Sequence, residues 1–188
     1  TCHPRYVAAD MLSQAEHGMD SQSILFTDSE QVAHDVLREL EVQLESLPRK
    51  EMAMASLRHS RIVVLRDMEE AFGICNEYAP EHLILAMDSA LEWTDRVVNA
   101  GSVFLGHYSC ESAGDYASGT NHTLPTSGYA KAYSGVNLDS FCRKITFQHL
   151  TPQGIQSIGR AVEVMAEAES LDAHRNAMTL RMQDLQED

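Results

Sequence analysis

Basic residues are scarce in this chain: 14 lysines and arginines stand against 28 aspartates and glutamates, for a formal net charge of −14. No Lys/Arg cluster interrupts the acidic charge, so a nucleic-acid partner would be repelled. No apolar run approaches the roughly 20 residues that a membrane-spanning helix needs. The first residues, Thr1 to Tyr6, lack the basic-then-apolar order of a signal peptide. We therefore expect no membrane association and a cytoplasmic location.

Closely spaced cysteines are also missing. Cys2, Cys75, Cys110 and Cys142 include no Cys-x-x-Cys pair, which argues against a zinc ribbon and a thioredoxin-like redox motif. We expect reduced thiols. Cys75 continues the apolar stripe of a predicted helix, where a free cysteine packs as a small hydrophobe, and we give it no catalytic role.

Strand-like and helical patterns alternate along the first part of the chain. A capping box at Thr27 and Glu30 predicts the start of the best-marked helix. Because strands and helices alternate, the predicted class is α/β. The apolar runs are continuous enough to predict buried parallel strands, and they cover residues 24–26, 62–65, 83–86 and 102–105.

The pattern changes near residue 136. One segment of strand character at 144–148 is followed by two predicted helices, roughly 152–168 and 172–185. With 44% hydrophobic residues, the chain can fill one full core and a small appendage. We predict a large α/β domain over 1–136 and a small, mainly helical C-terminal domain over 137–188.

The segment 111–126, ESAGDYASGTNHTLPT, holds the most chemically distinctive side chains. Its glycines, serines and threonines predict an irregular backbone, where binding residues are often placed. Asp115 and His122 are its candidates for metal binding or proton transfer.

The N-terminal helix and the dipeptide Glu81-His82 give two further candidates. Gln14 and His17 share one side of the helix, and Gly18 is predicted to end it with His17 in the last turn. Such a histidine is either a ligand or simply a capping or packed side chain. Glu81 and His82 follow Pro80 at the entrance to a strand; they form either an acid-base pair or a surface glutamate beside a half-buried histidine.

A fourth candidate lies in the last predicted helix, where His174 falls on the apolar stripe that Leu171 and Met178 mark. It is either a core imidazole bonded to a carbonyl or a ligand that the small domain delivers to the large one. Glu169, just before this helix, could accept hydrogen bonds from a cationic substrate group.

Four segments together carry a family resemblance. They are 7–18 (VAADMLSQAEHG), 78–83 (YAPEHL), 111–126 and 168–177 (AESLDAHRNA). In this order they resemble the C-terminal part of histidinol dehydrogenases, and the resemblance covers the whole chain.

The resemblance implies an incomplete Rossmann-like parallel-sheet domain with helices on both faces. It also implies oxidation of L-histidinol to L-histidine by two NAD molecules through histidinaldehyde, in histidine biosynthesis. One Zn²⁺ per site is implied, and a homodimer in which His174 comes from the second chain. The implied zinc ligands, which also surround the substrate, are Gln14, His17, Asp115 and His174.

In the same resemblance Glu81 and His82 carry the proton transfers: His82 takes the hydroxyl proton and Glu81 activates water for the aldehyde stage. His82, His122 and Glu169 contact the substrate. No Gly-x-Gly-x-x-Gly motif is present, so no NAD-binding residue is assigned. The resemblance implies that part of the sheet and the NAD contacts lie upstream, and we expect no turnover by this chain alone.

Two other functions stay open. In a zinc-dependent hydrolase, Glu81 would activate a metal-bound water and no nicotinamide would be needed. Alternatively, the chain is a non-catalytic dimeric module that binds zinc and histidinol.

Overall fold

The computed structural model describes residues 1–187, and the chain forms two compact units. The first unit is Thr1–Phe141 and the second is Cys142–Asp188. The division falls a few residues beyond the boundary near 136 that the sequence predicts.

The first unit alternates helices and strands. Its helices are α1 (Pro4–Ala15), α2 (Glu30–Glu45), α3 (Lys50–Leu57), α4 (Met68–Tyr78) and α5 (Glu111–Tyr116). Its strands are β1 (Ile24–Thr27), β2 (Arg61–Val64), β3 (His82–Leu85) and β4 (Ser102–Leu105). Short 3₁₀ helices cover Ala90–Arg96, Tyr129–Lys131 and Leu138–Phe141. The predicted α/β class is confirmed.

The four strands form two separate parallel pairs. β1 pairs with β2, with Leu25 opposite Ile62, and β3 pairs with β4, with Leu83 opposite Val103. Within the described residues no strand joins the two pairs. The sheet is therefore incomplete, as the resemblance implies.

Each pair packs on its own apolar core. Helices α1, α2 and α3 bury Ala8, Val36 and Ala53 in one cluster, to which Leu25 and Ile62 of the first pair add partly buried side chains. In the other cluster Phe72 of α4 packs with Leu83 and Leu85 of β3. Burial of this kind stabilises a fold by about 25 cal/mol per Å² of apolar surface.

The strands are less covered than their apolar sequences predict. In β2 both Arg61 and Val64 are exposed, and the side chains between them are half-buried. A strand that is buried on both faces needs neighbours and helices on all sides. The exposure of β2 is the consequence of its position at the edge of a two-stranded sheet.

Helix α2 does not begin at the predicted capping box. Thr27 is the last residue of β1, and Ser29 is the N-cap, its hydroxyl accepting the Val32 N–H. The Thr27 hydroxyl instead accepts the Ser29 N–H at 3.2 Å. The prediction misplaced the cap by two residues because both positions carry a hydroxyl side chain.

The second unit is a helical hairpin of α6 (Pro152–Ala168) and α7 (Asp172–Glu187), as predicted. Gly159 of α6 faces Met182 of α7, and a Cβ at 159 would lie 2.1 Å from the Met182 sulfur. The predicted strand at 144–148 was wrong, because those residues are exposed and irregular in the described structure. No described helix is both long and apolar enough to cross a membrane.

Candidate functional site

Five side chains from three separate segments converge at the amino end of β3. We call them the site cluster: His17, Glu81, His82, Glu111 and Asp115. His17 follows α1, Glu81 precedes β3, His82 is the first residue of β3, and the other two lie on α5. These segments are far apart in sequence, and the fold brings their side chains together.

His17 reaches the cluster from just outside α1. The helix ends at Ala15 with Glu16 as C-cap, so His17 is not in its last turn as predicted. Its N–H donates to the Gln14 carbonyl at 3.3 Å, which continues the chain as a turn rather than as helix. The imidazole is about half exposed, with Nε2 at 3.4 Å from Glu111 Oε1.

Glu81 and His82 are held by a tight backbone junction. α4 ends at Tyr78, and its C-cap residue Ala79 adopts the left-handed region (φ 53°). Pro80 prevents further helix, and β3 begins at His82. The Glu81 carbonyl accepts the Ser102 N–H at 2.9 Å. Gly101 makes this approach possible, since a Cβ there would lie 2.6 Å from the same carbonyl oxygen.

Helix α5 supplies two carboxylates one turn apart. The predicted irregular backbone was wrong for Glu111–Tyr116, which are helical, and right for the residues that follow them. Glu111 and Asp115, four residues apart, lie on one face of this helix. Gly114 allows the helix to approach Phe104 of β4, because a Cβ there would lie 2.4 Å from the ring.

His82 lies between those two carboxylates. Its Nδ1 is 3.9 Å from Glu111 Oε1 and its Nε2 is 3.7 Å from Asp115 Oδ1, distances too long for hydrogen bonds. Burial lowers the pKa of His82 below its ordinary value. The charge of Asp115 raises this pKa, and the charge of His17 lowers it further, so the net direction is downward. The ring is therefore neutral at pH 7 and able to accept a proton.

Glu111 is the most perturbed member of the site cluster. Its side chain is 3% exposed, and burial together with the charges of Asp115, Glu81 and Asp10 raises its pKa to about 7. The sequence contained it in the 111–126 motif, but we predicted no role for it. The four-residue spacing between Glu111 and Asp115, which places both side chains on one face of a helix, could have identified it from the sequence.

The pKa values of two further carboxyl groups are also raised. Burial raises the pKa of Glu81, with His17 lowering it and Asp115 raising it. Burial also raises the pKa of Asp10 on α1 to about 6. His17 and Asp115 influence the pKa values of both Glu81 and His82, so these two adjacent side chains face the same charged groups.

His17, Glu111 and Asp115 can each offer one ligand atom, and these atoms lie within 4.8 Å of one another. Imidazole nitrogen and carboxylate oxygen are donors that suit zinc. Glu111 Oε1 and His82 Nε2 are buried and have no hydrogen-bond partner within the described residues. A cation would satisfy such acceptors, so this donor set fits a metal site.

The other predicted site residues are distributed more widely. Gln14 is half-buried and lines the same groove as Glu81, His82 and Glu111. His122 is exposed in the irregular segment after α5 and makes no hydrogen bond or ion pair within the described residues.

Glu169 and His174 belong to the second unit. Glu169 caps the end of α6, and His174 is exposed on α7. The core-imidazole interpretation of His174 was therefore wrong: its side chain faces solvent in this chain and is free to meet another molecule.

The fold and the cluster define an α/β protein with an acidic, imidazole-containing site suited to a cation and to proton transfer. Comparison with known proteins narrows this class. The family model described as histidinol dehydrogenase matches residues 1–182, and the chain belongs to that family.

Individual relatives agree. The chain is 59% identical over 185 residues to histidinol dehydrogenase of Bacteroides thetaiotaomicron, covering 98% of this chain and 43% of that protein. It is 53% identical to the chloroplastic histidinol dehydrogenase of Oryza sativa, covering 98% of this chain and 39% of that protein. The crystal structure of histidinol dehydrogenase from Elizabethkingia anophelis matches with a TM-score of 0.91 at 57% identity, over 99% of this chain and 43% of that one. The chain thus spans less than half the length of these relatives.

Proposed function

We propose that this chain carries the zinc- and substrate-binding part of an NAD-linked enzyme that oxidises L-histidinol to L-histidine through histidinaldehyde. The observation that supports this most directly is the site cluster, where two imidazoles and three carboxylates from separate segments meet at one partly buried place. Membership of the histidinol dehydrogenase family supports this reaction.

In this proposal Gln14, His17 and Asp115 hold zinc, together with His174 from the second chain of a homodimer. The mutual proximity of His17 and Asp115 supports their part in the set, and the exposure of His174 is compatible with delivery to another chain. When bound, zinc would supply a Lewis acid that anchors the imidazole and amine of the substrate.

His82 would act as the base for the alcohol. Its lowered pKa keeps the ring neutral, so it can take the hydroxyl proton while the carbon gives its hydride to NAD. The same step recurs after water has added to the aldehyde, when the hydrate gives up a second hydride and becomes the carboxylate.

Glu81 would act on that water. It takes a proton from the water as the oxygen forms a bond to the aldehyde carbon. Burial raises the pKa of Glu81, which makes its carboxylate a stronger base than an exposed glutamate.

Glu111 would be a positioning residue for His82. Its Oε1 lies 3.9 Å from Nδ1, and Asp115 Oδ1 lies 3.7 Å from Nε2, so the two carboxylates would hold the ring in place between them. The Glu111 oxygen is nearer still to His17 Nε2, so it orients a proposed metal ligand too. His122 and Glu169 would contact the substrate, and no residue of this chain is assigned to NAD.

Calorimetric titration of L-histidinol tests the binding half of this proposal. With zinc present the chain should release or absorb heat on binding, and after chelation it should not. Asp115→Asn should abolish the zinc-dependent heat, whereas His59→Ala should not, because His59 is exposed in the turn that follows α3. Equal heats with and without zinc would contradict the proposed site.

Turnover needs a longer protein. A chimaera in which this chain replaces the matched region of the Bacteroides thetaiotaomicron relative should form NADH from L-histidinol, and the chain alone should not. Zinc-dependent hydrolysis without NADH would favour the hydrolase alternative, and binding without turnover in the chimaera would favour a non-catalytic module.

A further inference from the structure

A second group of ionisable side chains lies beyond the carboxyl ends of β3 and β4, at the edge opposite to the site cluster. We call it the distal cluster: His3, Asp88 and His107. His3 is the N-cap residue of α1, Asp88 lies three residues beyond the end of β3, and His107 lies two residues beyond the end of β4. Parallel α/β sheets usually bind ligands at this edge. The distal cluster shares no residue with the site cluster.

A tight turn after β4 brings His107 to the end of β3. Gly106 adopts the left-handed region with φ 84°, where most other residues would be strained. Its N–H donates to the Leu85 carbonyl at 3.0 Å, which holds the turn against the last residue of β3. The His107 ring is thereby placed beside Asp88.

Asp88 determines which nitrogen of His107 carries the proton. The Nε2 atom of His107 lies 2.8 Å from Asp88 Oδ1, and this hydrogen bond is the main reason that the pKa of Asp88 is lowered. An ionised carboxylate only accepts hydrogen bonds, so Nε2 is the donor and the neutral ring keeps its lone pair on Nδ1. Histidines that bind metals commonly have this arrangement, with a carboxylate on one ring nitrogen and the metal on the other.

The Nδ1 atom of His107 is buried and has no hydrogen-bond partner in the part of the chain that the structure describes. The side chain as a whole is 13% exposed. A buried acceptor of this kind is costly, because it has lost its hydrogen bonds to water without gaining others. A bound ion that takes up the lone pair would remove this cost.

His3 supplies a second imidazole at a suitable separation. Its ring centre lies 4.7 Å from that of His107, with the two ring planes at 79°. Two imidazoles that bind one metal ion through nitrogens at about 2 Å have ring centres roughly 4.5–5.2 Å apart, for angles of about 90–110° at the metal. Because His3 is exposed, its side chain can rotate to turn a nitrogen toward the ion without disturbing the core.

We propose that the distal cluster is a second site for a divalent transition metal, bound by His107 Nδ1 and a nitrogen of His3. Water completes the coordination, and Asp88 orients the His107 ring without binding the ion itself. Imidazole donors suit zinc, nickel and copper, whereas magnesium and calcium require oxygen ligands. With two protein donors, the distal site binds metal more weakly than the three or four protein ligands of an ordinary zinc site.

An ion at the distal cluster would connect the start of α1 to the ends of β3 and β4. Helix α1 extends from the N-cap residue His3 to Ala15, two residues before His17, and β3 begins at His82. The ion would therefore brace, from the opposite edge, the two elements that position His17 and His82. The inference uses no residue of the proposed function, so either can fail without the other.

NMR of isotope-labelled histidine rings during a zinc titration of this chain tests the proposal directly. Before zinc is added, His107 should carry its proton on Nε2 and none on Nδ1. At saturating zinc the Nδ1 resonance of His107 should shift while Nε2 keeps its proton. The resonances of His3 should respond over the same range of zinc concentration.

Metal analysis after equilibrium dialysis against zinc counts the bound ions. His107→Ala should bind one zinc ion per chain fewer than the parent. Asp88→Ala should weaken the binding of this ion at least tenfold, and Asp88→Asn, whose amide oxygen can still accept the Nε2–H, should recover part of the affinity. His34→Ala is the matched control, because it removes an exposed histidine of α2 and should leave the count unchanged. Asp115→Asn, which removes the zinc of the proposed function, should leave the distal ion in place.

An unchanged zinc count in His107→Ala would overturn the proposal. A parent spectrum in which zinc leaves the His107 ring unaltered, or displaces the proton from Nε2, would also overturn it. The NMR measurement uses the unmodified chain, so it stays decisive if a variant does not fold.

Discussion

Replacing Glu111 by glutamine should remove a large part of the pH dependence of this protein's stability. Its pKa rises from the ordinary 4.5 to about 7 in the folded chain. Between these values the folded state keeps a proton that the unfolded state has lost. The free energy of unfolding therefore falls as the pH rises through this range.

The size follows from the shift. Each pKa unit corresponds to about 1.4 kcal/mol, so the ionisation of Glu111 should cost about 3 kcal/mol of stability between pH 4.5 and pH 8. Because the side chain is 3% exposed, solvent screening reduces this figure little. The glutamine variant keeps the shape of the side chain and cannot ionise.

Urea unfolding of the metal-free protein at pH 5, 6, 7 and 8 measures the effect. The parent chain should lose stability across this series, and Glu111→Gln should lose about 2.5 kcal/mol less. Glu41→Gln is the control, because Glu41 is exposed on α2 and its replacement should leave the parent slope unchanged. Equal slopes in the parent and in Glu111→Gln would refute the assignment of a buried, destabilised carboxylate.

Three other substitutions test the site and its framework. His174→Ala should lower zinc retention, measured by metal analysis after gel filtration, while circular dichroism stays unchanged; His59→Ala is its control, and equal zinc content in the two variants would refute the ligand assignment. Glu81→Gln in the chimaera should release histidinaldehyde, giving about one NADH per histidinol consumed instead of two, with unchanged histidinol binding; a full yield of two would contradict its role in water attack. Gly101→Ala should destabilise the fold by about 1–3 kcal/mol, because its Cβ would meet the Glu81 carbonyl at 2.6 Å. Gly73→Ala is the control: nothing lies within 4 Å of its new Cβ on α4, so it should stabilise the fold by about 0.5–1 kcal/mol. If the two variants change the free energy of unfolding in urea by similar amounts, the contact between residue 101 and the Glu81 carbonyl relaxes.

Local patterns predicted the elements of this fold well. The four apolar runs became β1 to β4, and the helices over 152–168 and 172–185 became α6 and α7. These patterns report periodic burial, which short stretches of sequence carry by themselves. The segment 144–148 failed because β-prone residues form a strand only where another strand pairs with them, and the described structure offers none there.

The candidate site was harder to predict, because its members come together only through packing. Glu81 and His82 were predicted to act together, and their shared response to His17 and Asp115 is compatible with this. The site cluster lies at the amino end of β3, whereas doubly wound folds usually bind ligands beyond the carboxyl ends of their strands. Fold class alone points to the edge of the sheet opposite to this candidate site.

The charges of the cluster explain why a cation would matter to it. Glu81, Glu111 and Asp115 repel one another, and none of them has an ion pair with lysine or arginine within the described residues. A bound zinc ion would favour the ionised form of Glu111, whose ionisation otherwise destabilises the fold.

Zinc should therefore stabilise the chain more at pH 8 than at pH 6, and more in the parent than in Glu111→Gln. Thermal unfolding with and without a fixed excess of zinc measures this difference. A ligand that binds only the folded state raises the free energy of unfolding with the logarithm of its concentration relative to its Kd. The comparison with the glutamine variant isolates the part of this pH dependence that belongs to Glu111. An identical zinc effect in the two proteins at pH 8 would mean that this carboxylate, although 3.4 Å from His17, does not sense the metal.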